Sequence, residues 1–355
     1  MLASLGRNGP VTTRKQGPKV RDSTSGDRET NDRWRKHNPI PAAIHQTTER
    51  APRDCGERTT AAQNIEEGTV MNTTIGMIGL GLMGTAMARR LAEAGWAVTG
   101  FNRHPREIEN IPVAASLADL ADRAETLWMM VSDYTACREV IDRLGEAGIR
   151  DHVVINSSTI APSESAEIAR RVEALGGEYL EAPVLGSIPQ AQSGTLQLLL
   201  GGPEALIERL DPLLRALGTP THFGAVRSGA AAKLAFNQLI GSLTAAFSMS
   251  LGLVQREGVD VDRFMETLRD SALYAPTFDK KLGNMLDHSF DKANFPLKHL
   301  LKDIRLFTRS AAGQDIDTHL LIGLQHVLEE GIYAGHGNHD YSSLYENIVR
   351  HGTTH

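Results

Sequence analysis

From about residue 73 the apolar positions alternate between the strand period and the helix period. Residues 74–80 read as a buried strand, and residues 83–94 carry apolar side chains at helical spacing that stop before Gly95. The rhythm then repeats. Strands are predicted at 96–101, 126–131 and 152–156, helices at 116–123, 135–144 and 163–175, and further strand-like runs at 179–182 and 196–200. Strands that alternate with helices in this way predict a parallel sheet with right-handed crossovers. Past Gly229 the strand pattern ends. Helical periods fill 233–257, 261–271, 277–285, 297–312 and 318–330, with a shorter one near 343–350. The fold class predicted is α/β: a parallel-sheet domain over residues 71–230, then an all-helical domain over 231–350, joined by one long helix.

That long helix lacks any charged residue from Leu234 to Gln255, 22 positions, which is enough to span a bilayer. Asn237, Gln238, Ser242, Thr244, Ser248 and Ser250 are scattered through it, and no cluster of basic flanks or aromatic anchors brackets it. A helix buried in a protein core is expected, and no membrane. The first seventy residues differ from the rest. Residues 8–58 are crowded with Arg, Thr, Asn, Pro and Gly and show neither period. Such a stretch buries too little apolar surface to offset its ordering entropy, so a disordered leader over residues 1–70 is expected. Asp22, Asp27, Glu29 and Asp32 argue against a mitochondrial presequence.

Charge and composition exclude several classes. Lys and Arg number 37 against 43 Asp and Glu, a net of −6, so nucleic-acid binding has no bulk electrostatic support. Two cysteines, Cys55 and Cys137, exclude a disulfide framework and point to a reducing, cytoplasmic setting. Thirteen histidines include His336, His339, His351 and His355, but their spacing fits no metal motif. No metal is expected.

The first chemical signal is Gly79-Leu80-Gly81-Leu82-Met83-Gly84, a G-x-G-x-x-G that follows a predicted strand and opens a predicted helix. In that context Gly79 permits a tight turn, Gly81 lets the backbone approach a pyrophosphate, and Gly84 lets helix and strand pack closely. The helix N-terminus adds N–H groups for the phosphates, so a Rossmann-type dinucleotide site is predicted. The second strand ends Gly100-Phe101-Asn102-Arg103-His104, and the first acid beyond it is Glu107. A carboxylate there would hold a free ribose, whereas Arg103 can fork onto a 2′-phosphate. NADPH is favoured over NADH.

Four further segments are Ser157-Ser158-Thr159; Glu181-Ala-Pro-Val-Leu185-Gly186-Ser187 running on to Leu196; Gly229-Ala-Ala-Ala-Lys233-Leu-Ala-Phe-Asn237; and Phe295-Pro-Leu-Lys298-His-Leu-Leu-Lys302-Asp303. With the glycine turn and Asn102-Arg103 they resemble, in order, the β-hydroxyacid dehydrogenase family related to 3-hydroxyisobutyrate dehydrogenase. The last segment looks most like the glyoxylate/succinic semialdehyde reductase branch, which generally uses NADPH. Lys233 and Asn237 lie four apart, on one helix face, where both can reach one carbonyl. A lysine ammonium can stabilise the charge that builds on that oxygen and deliver its proton, while an amide fixes orientation.

The resemblance implies the same roles, Lys233 as acid/base and Asn237 as its partner. It also implies that Val131, Ser132, Thr159 and Lys302 touch the cofactor and that Leu185, Gly186, Ser187, Phe295 and Asp303 line the substrate site. Leu185 stands where the family commonly has serine, which leaves room for a less polar substrate. The expected activity is reversible NADPH-dependent reduction of small carboxylated aldehydes to hydroxyacids by a homodimer or homotetramer. The alternatives are 3-hydroxyisobutyrate dehydrogenase or tartronate-semialdehyde reductase chemistry, and, from another class, a non-catalytic nucleotide-binding interaction module. Imine reductases resemble this fold too but generally lack the lysine, so Lys233 speaks against them.

Overall fold

The computed structural model describes residues 74–349, Pro105 excepted. The leader expected over residues 1–70, Cys55, His351 and His355 lie outside the described residues. Three strand–helix repeats open the fold: β1 (Ile75–Ile78) and α1 (Leu82–Glu93), β2 (Val98–Phe101) and α2 (Leu117–Arg123), β3 (Thr126–Met129) and α3 (Tyr134–Ala147). Next come β4 (Val153–Asn156), α4 (Pro162–Ala174), β5 (Glu178–Glu181), β6 (Val184–Leu185), α5 (Ile188–Ser193), β7 (Leu196–Gly201), α6 (Glu204–Leu217) and β8 (Gly218–Gly224). From β1 to β4 every strand residue is buried, as strands covered by helices on both faces must be.

The sheet order is β2-β1-β3-β4-β5-β7-β6, with β8 also paired to β7. β1 pairs in parallel with β2 on one edge and with β3 on the other. The chain thus winds outward in both directions from β1, and the crevice beyond the C-terminal ends of β1 and β3 is the place where such sheets take ligands. β5 meets β7 antiparallel at Glu181 and Gly201, and β6 also pairs antiparallel with β7. Two apolar clusters fill the two faces of the sheet, one around Met77, Trp128 and Leu198 and the other around Leu120, Met129 and Ile168.

The helical region follows: α7 (Ser228–Arg256), α8 (Val261–Arg269), α9 (Pro276–Leu286), α10 (Leu297–Ala311), α11 (His319–Tyr333) and α12 (Leu344–Ile348). Among the described residues, α7 is the one helix long and apolar enough to cross a membrane by length and composition. It packs against α10, α12 and β7, and Leu234, Asn237, Gly241, Thr244, Phe247, Ser248 and Leu251 are buried on it. That packing accounts for the apolar residues of its buried face, while Phe236, Leu239, Leu243, Met249 and Leu253 are exposed.

Four elements go beyond the hydrophobic pattern: the short β6 and α5, and α6 and β8. α6 contains Pro212 in its interior, a residue that reads as a helix break. β8 carries Gly218, Pro220 and mostly exposed positions, so it shows no strand period. α7 also begins five residues before the predicted 233, because the run Gly229-Ala-Ala-Ala carries no polar contrast from which a period could be read.

Candidate active site

The glycine turn lies at the end of β1, against β3. Gly79 has φ +97°, and a side chain there would come within 2.3 Å of the Met130 carbonyl oxygen. A Cβ on Gly84 would meet the Gly79 carbonyl at 1.9 Å. Both glycines are therefore demanded by packing. Gly81 is not: a Cβ there would meet nothing within 4 Å. It is the N-cap of α1, a helix with no side-chain cap and no acid in its first turn. An open space facing bare helix N–H groups fits the pyrophosphate of a dinucleotide. Leu80 itself is buried beneath Gly100, whereas Leu82 is exposed and Met83 half-buried.

Asn102 ties the end of β2 to this turn. Its Oδ1 accepts from the Leu80 N–H at 3.1 Å, and its Nδ2 donates to the His104 carbonyl at 2.9 Å. Arg106, which the sequence reading passed over, donates from Nη1 to the Leu80 carbonyl at 2.7 Å. The Arg103 side chain is 72% exposed, with Nη1 3.7 Å from Glu139 Oε2. An exposed pair at that separation holds the guanidinium only weakly.

Beyond β3, the Val131 N–H donates to Ser158 Oγ at 3.0 Å, and the Ser132 hydroxyl donates to Asp133 Oδ2 at 2.8 Å. Asp133 caps α3 through the Ala136 N–H. Lys302 crosses from α10 to this end of the sheet and donates to the Thr159 carbonyl at 2.7 Å. Its charge is felt at Asp133. Partial burial acts to raise that carboxyl, but hydrogen bonds from Ala136 and Ser132, then Lys302, outweigh it and hold it below the ordinary value. Cys137, buried next to this loop, has its thiol pushed up to about 11 by burial, so it is an inert core residue.

α7 and α10 bring the chemical residues together. Asn237 donates from Nδ2 to Asp303 Oδ2 at 2.6 Å, with both residues 2% exposed. Asp303 Oδ1 lies 3.0 Å from Lys302 Nζ but without hydrogen-bond alignment, and it has no hydrogen-bond partner. Lys233, one turn before Asn237, is half-buried. Burial pushes its ammonium down to about 8, with Asp303 opposing that effect and Lys302 adding to it. A lysine that exchanges its proton near neutral pH, flanked by an amide that a buried carboxylate holds in place, is equipped for proton transfer to a carbonyl. Phe295 stands at the start of α10, half-buried, its ring edge-on to Tyr341 at 5.8 Å.

The 185–187 loop is less open than the sequence suggests. Gly186 is exposed and has φ +138°, and Leu185 is half-buried. The Ser187 N–H is already donated to Gln190 Oε1 at 2.9 Å, and the Ser187 hydroxyl to the same oxygen at 2.5 Å. Of the Gly186 and Ser187 backbone N–H groups that this turn could offer to a substrate carboxylate, only that of Gly186 is left without this partner. The missed residue is Gln190, and the signal for it was present: Ser187-Ile-Pro-Gln190 has the spacing of a capping box. Among the described residues, no group of three or more His, Cys, Asp or Glu is arranged to hold a metal ion.

Residues 74–227 match the family model described as the NAD binding domain of 6-phosphogluconate dehydrogenase. Residues 228–348 match that of the NAD-binding domain of NADP-dependent 3-hydroxyisobutyrate dehydrogenase. Glyoxylate/succinic semialdehyde reductase 1 of Arabidopsis thaliana is 30% identical over 77% of this chain and 98% of its own length. The chloroplastic reductase 2 of the same plant is 29% identical over 82% of this chain and 83% of its own. Among solved structures, a 3-hydroxyisobutyrate dehydrogenase from Mycobacterium tuberculosis, solved with L-serine, superposes with a TM-score of 0.71 at 23% identity. It covers 78% of this chain, and 99% of its own length is matched.

Proposed function

Because the chain belongs to the β-hydroxyacid dehydrogenase family, on the side of the glyoxylate/succinic semialdehyde reductases, and is an NAD(P)-dependent oxidoreductase of CH–OH groups, we propose that it reduces small carboxylated aldehydes with NADPH, Lys233 serving as the proton donor. The observation that carries the reading is the Lys233–Asn237–Asp303 constellation, which joins the two chemical helices beside the end of the sheet.

The glycine turn, with Gly81 open and α1 uncapped, would hold the pyrophosphate, and Arg103 the 2′-phosphate. The nicotinamide supplies the hydride when bound. Lys233 then does two things at the substrate oxygen: its charge offsets the negative charge that develops there, and its Nζ gives up the proton. Asn237, fixed by Asp303, orients the same carbonyl. With Ser187 engaged by Gln190, attraction for the substrate carboxylate falls more heavily on cations. Lys298, Lys302, Arg305 and Arg309 line one cleft of about 420 Å³ along α10. Lys302, Arg305 and Arg309 are paired there with Asp303, Glu329 and Glu164, so the positive charge offered to an anionic substrate comes chiefly from Lys298.

The test is NADPH consumption over a panel of aldehydes: glyoxylate, succinic semialdehyde, tartronate semialdehyde, the semialdehyde of 3-hydroxyisobutyrate, and uncharged analogues of similar size. Preference for the uncharged members would overturn the substrate class. Arg103→Ala is expected to weaken NADPH binding roughly ten- to hundredfold, the worth of a lost charge-assisted hydrogen bond. NADH affinity should stay unchanged. A titration in which both nucleotides weaken equally would show that Arg103 does not read the phosphate.

The proposed assembly is a homo-oligomer. Phe236, Leu239, Leu243, Met249 and Leu253 are exposed on α7, an apolar face that the described residues leave uncovered. Light scattering should give a dimer or tetramer at micromolar concentration. A monomer would contradict the assembly without touching the chemistry.

A further inference from the structure

Glu181 ends β5 with its side chain 1% exposed, a costly place for a carboxylate. Its surroundings explain how it is kept there. Oε1 accepts from the Arg227 N–H at 2.7 Å, and Oε2 from the N–H groups of Gly229 and Ala230 at 3.0 and 3.3 Å. These are the backbone donors at the start of α7, the helix that carries Lys233. Arg227, its own N-cap, offers no side-chain cap and is held at φ +97°, where a non-glycine residue is strained. Two glycines make the approach possible. A Cβ on Gly201 would lie 2.1 Å from Glu181 Oε2, and one on Gly229 2.3 Å from the Leu199 carbonyl.

A serine or aspartate at the N-cap would satisfy the same N–H groups locally, without burying a charge. The cap instead comes from a residue 46 positions back in the chain, at the end of the central sheet. What the remote cap adds over a local one is location: it ties the first turn of α7 to the C-terminal end of β5, on the same edge of the sheet as the crevice. Lys233 follows Gly229 by about one helical turn, or roughly 6 Å along the axis. A tilt or rotation of that first turn therefore passes directly to Nζ.

We propose that Glu181 is a positioning residue of the reductase, fixing the start of α7 against the end of β5 so that Lys233 reaches the substrate carbonyl. The proposal rests on the reading of Lys233 as proton donor. Glu181→Gln keeps the shape but turns an NH2 group toward backbone N–H donors. It should lower kcat roughly ten- to hundredfold, the scale of a small misplacement of a reacting group. The NADPH dissociation constant by fluorescence titration and the KM for NADPH should not move, because the glycine turn is untouched.

In a Lys233→Ala background, Glu181→Gln should cost nothing further, since the residue it positions is gone. A Gln variant with parental kcat overturns the proposal, and so does a loss that recurs in full without Lys233. Should the Gln variant fail to fold, Glu181→Asp is the measurement. It keeps the charge but retracts it by one methylene, and an Asp variant with unchanged kcat is equally fatal. If Lys233→Ala alone retains turnover, the reading of Lys233 fails, which is a different result from a Glu181 effect that ignores Lys233.

Discussion

Lys233→Ala is expected to lower aldehyde reduction by at least the ~10²–10⁴ that a positioned acid contributes, and by more if its charge also steadies the oxygen. NADPH binding should persist, because the glycine turn and Arg103 belong to other elements. Asn237→Ala should cost less turnover, since the amide orients and does not supply the proton. It carries a second penalty, however. Asp303 would lose the one hydrogen bond made to its buried carboxylate and keep only its ion pair with Lys302, and a hydrogen bond to a charged group is worth about 1.5–3 kcal/mol. The two losses in turnover should not add, because both residues serve one carbonyl.

The same lysine sets a pH signature. Burial brings its ammonium down to about 8, so the protonated form dominates below that pH and the free amine above it. Reduction, which consumes the proton, should fall as pH rises through about 8. Hydroxyacid oxidation, which needs the free amine, should rise over the same window. A reduction rate that stays flat well above pH 8 would remove Lys233 as the titrating acid, even if its replacement were damaging.

How much of this was legible beforehand depended on the range of the interaction. The repeats from β1 to α4 were readable because each strand is buried on both faces and each helix on one, which writes a period into consecutive residues. The four-residue spacing of Lys233 and Asn237 was readable for the same reason. α6 was obscured by Pro212, and β8 by its exposed Thr and His positions. The partnership of Asn237 with Asp303 spans 66 residues, and that of Glu181 with the start of α7 spans 46 to 49. No local pattern encodes such contacts. They follow from where the sheet ends and which helix starts there. Gln190 is the opposite case, a local capping box that could have been read and that takes up the Ser187 N–H in the loop implied to line the substrate site.

The glycine turn allows binding and folding to be separated by two substitutions three residues apart. Gly81→Val should lower the melting temperature only slightly, by the loss of a preferred N-cap residue. The position has extended backbone with φ −70°, which valine adopts readily, and nothing lies within 4 Å of the new Cβ. The side chain would instead occupy the space facing the first N–H groups of α1. NADPH affinity should fall by at least the ten- to hundredfold of one lost charge-assisted hydrogen bond. Gly84→Val should do the reverse in order of cause: its Cβ would meet the Gly79 carbonyl at 1.9 Å, so helix and strand must separate before any nucleotide arrives. That variant should melt earlier even without cofactor. Calorimetry of both proteins, with and without NADPH, distinguishes the roles. Unaltered NADPH stabilisation of the Gly81 variant would mean that the pyrophosphate lies elsewhere, and with it the assignment of α1 as the phosphate-binding helix.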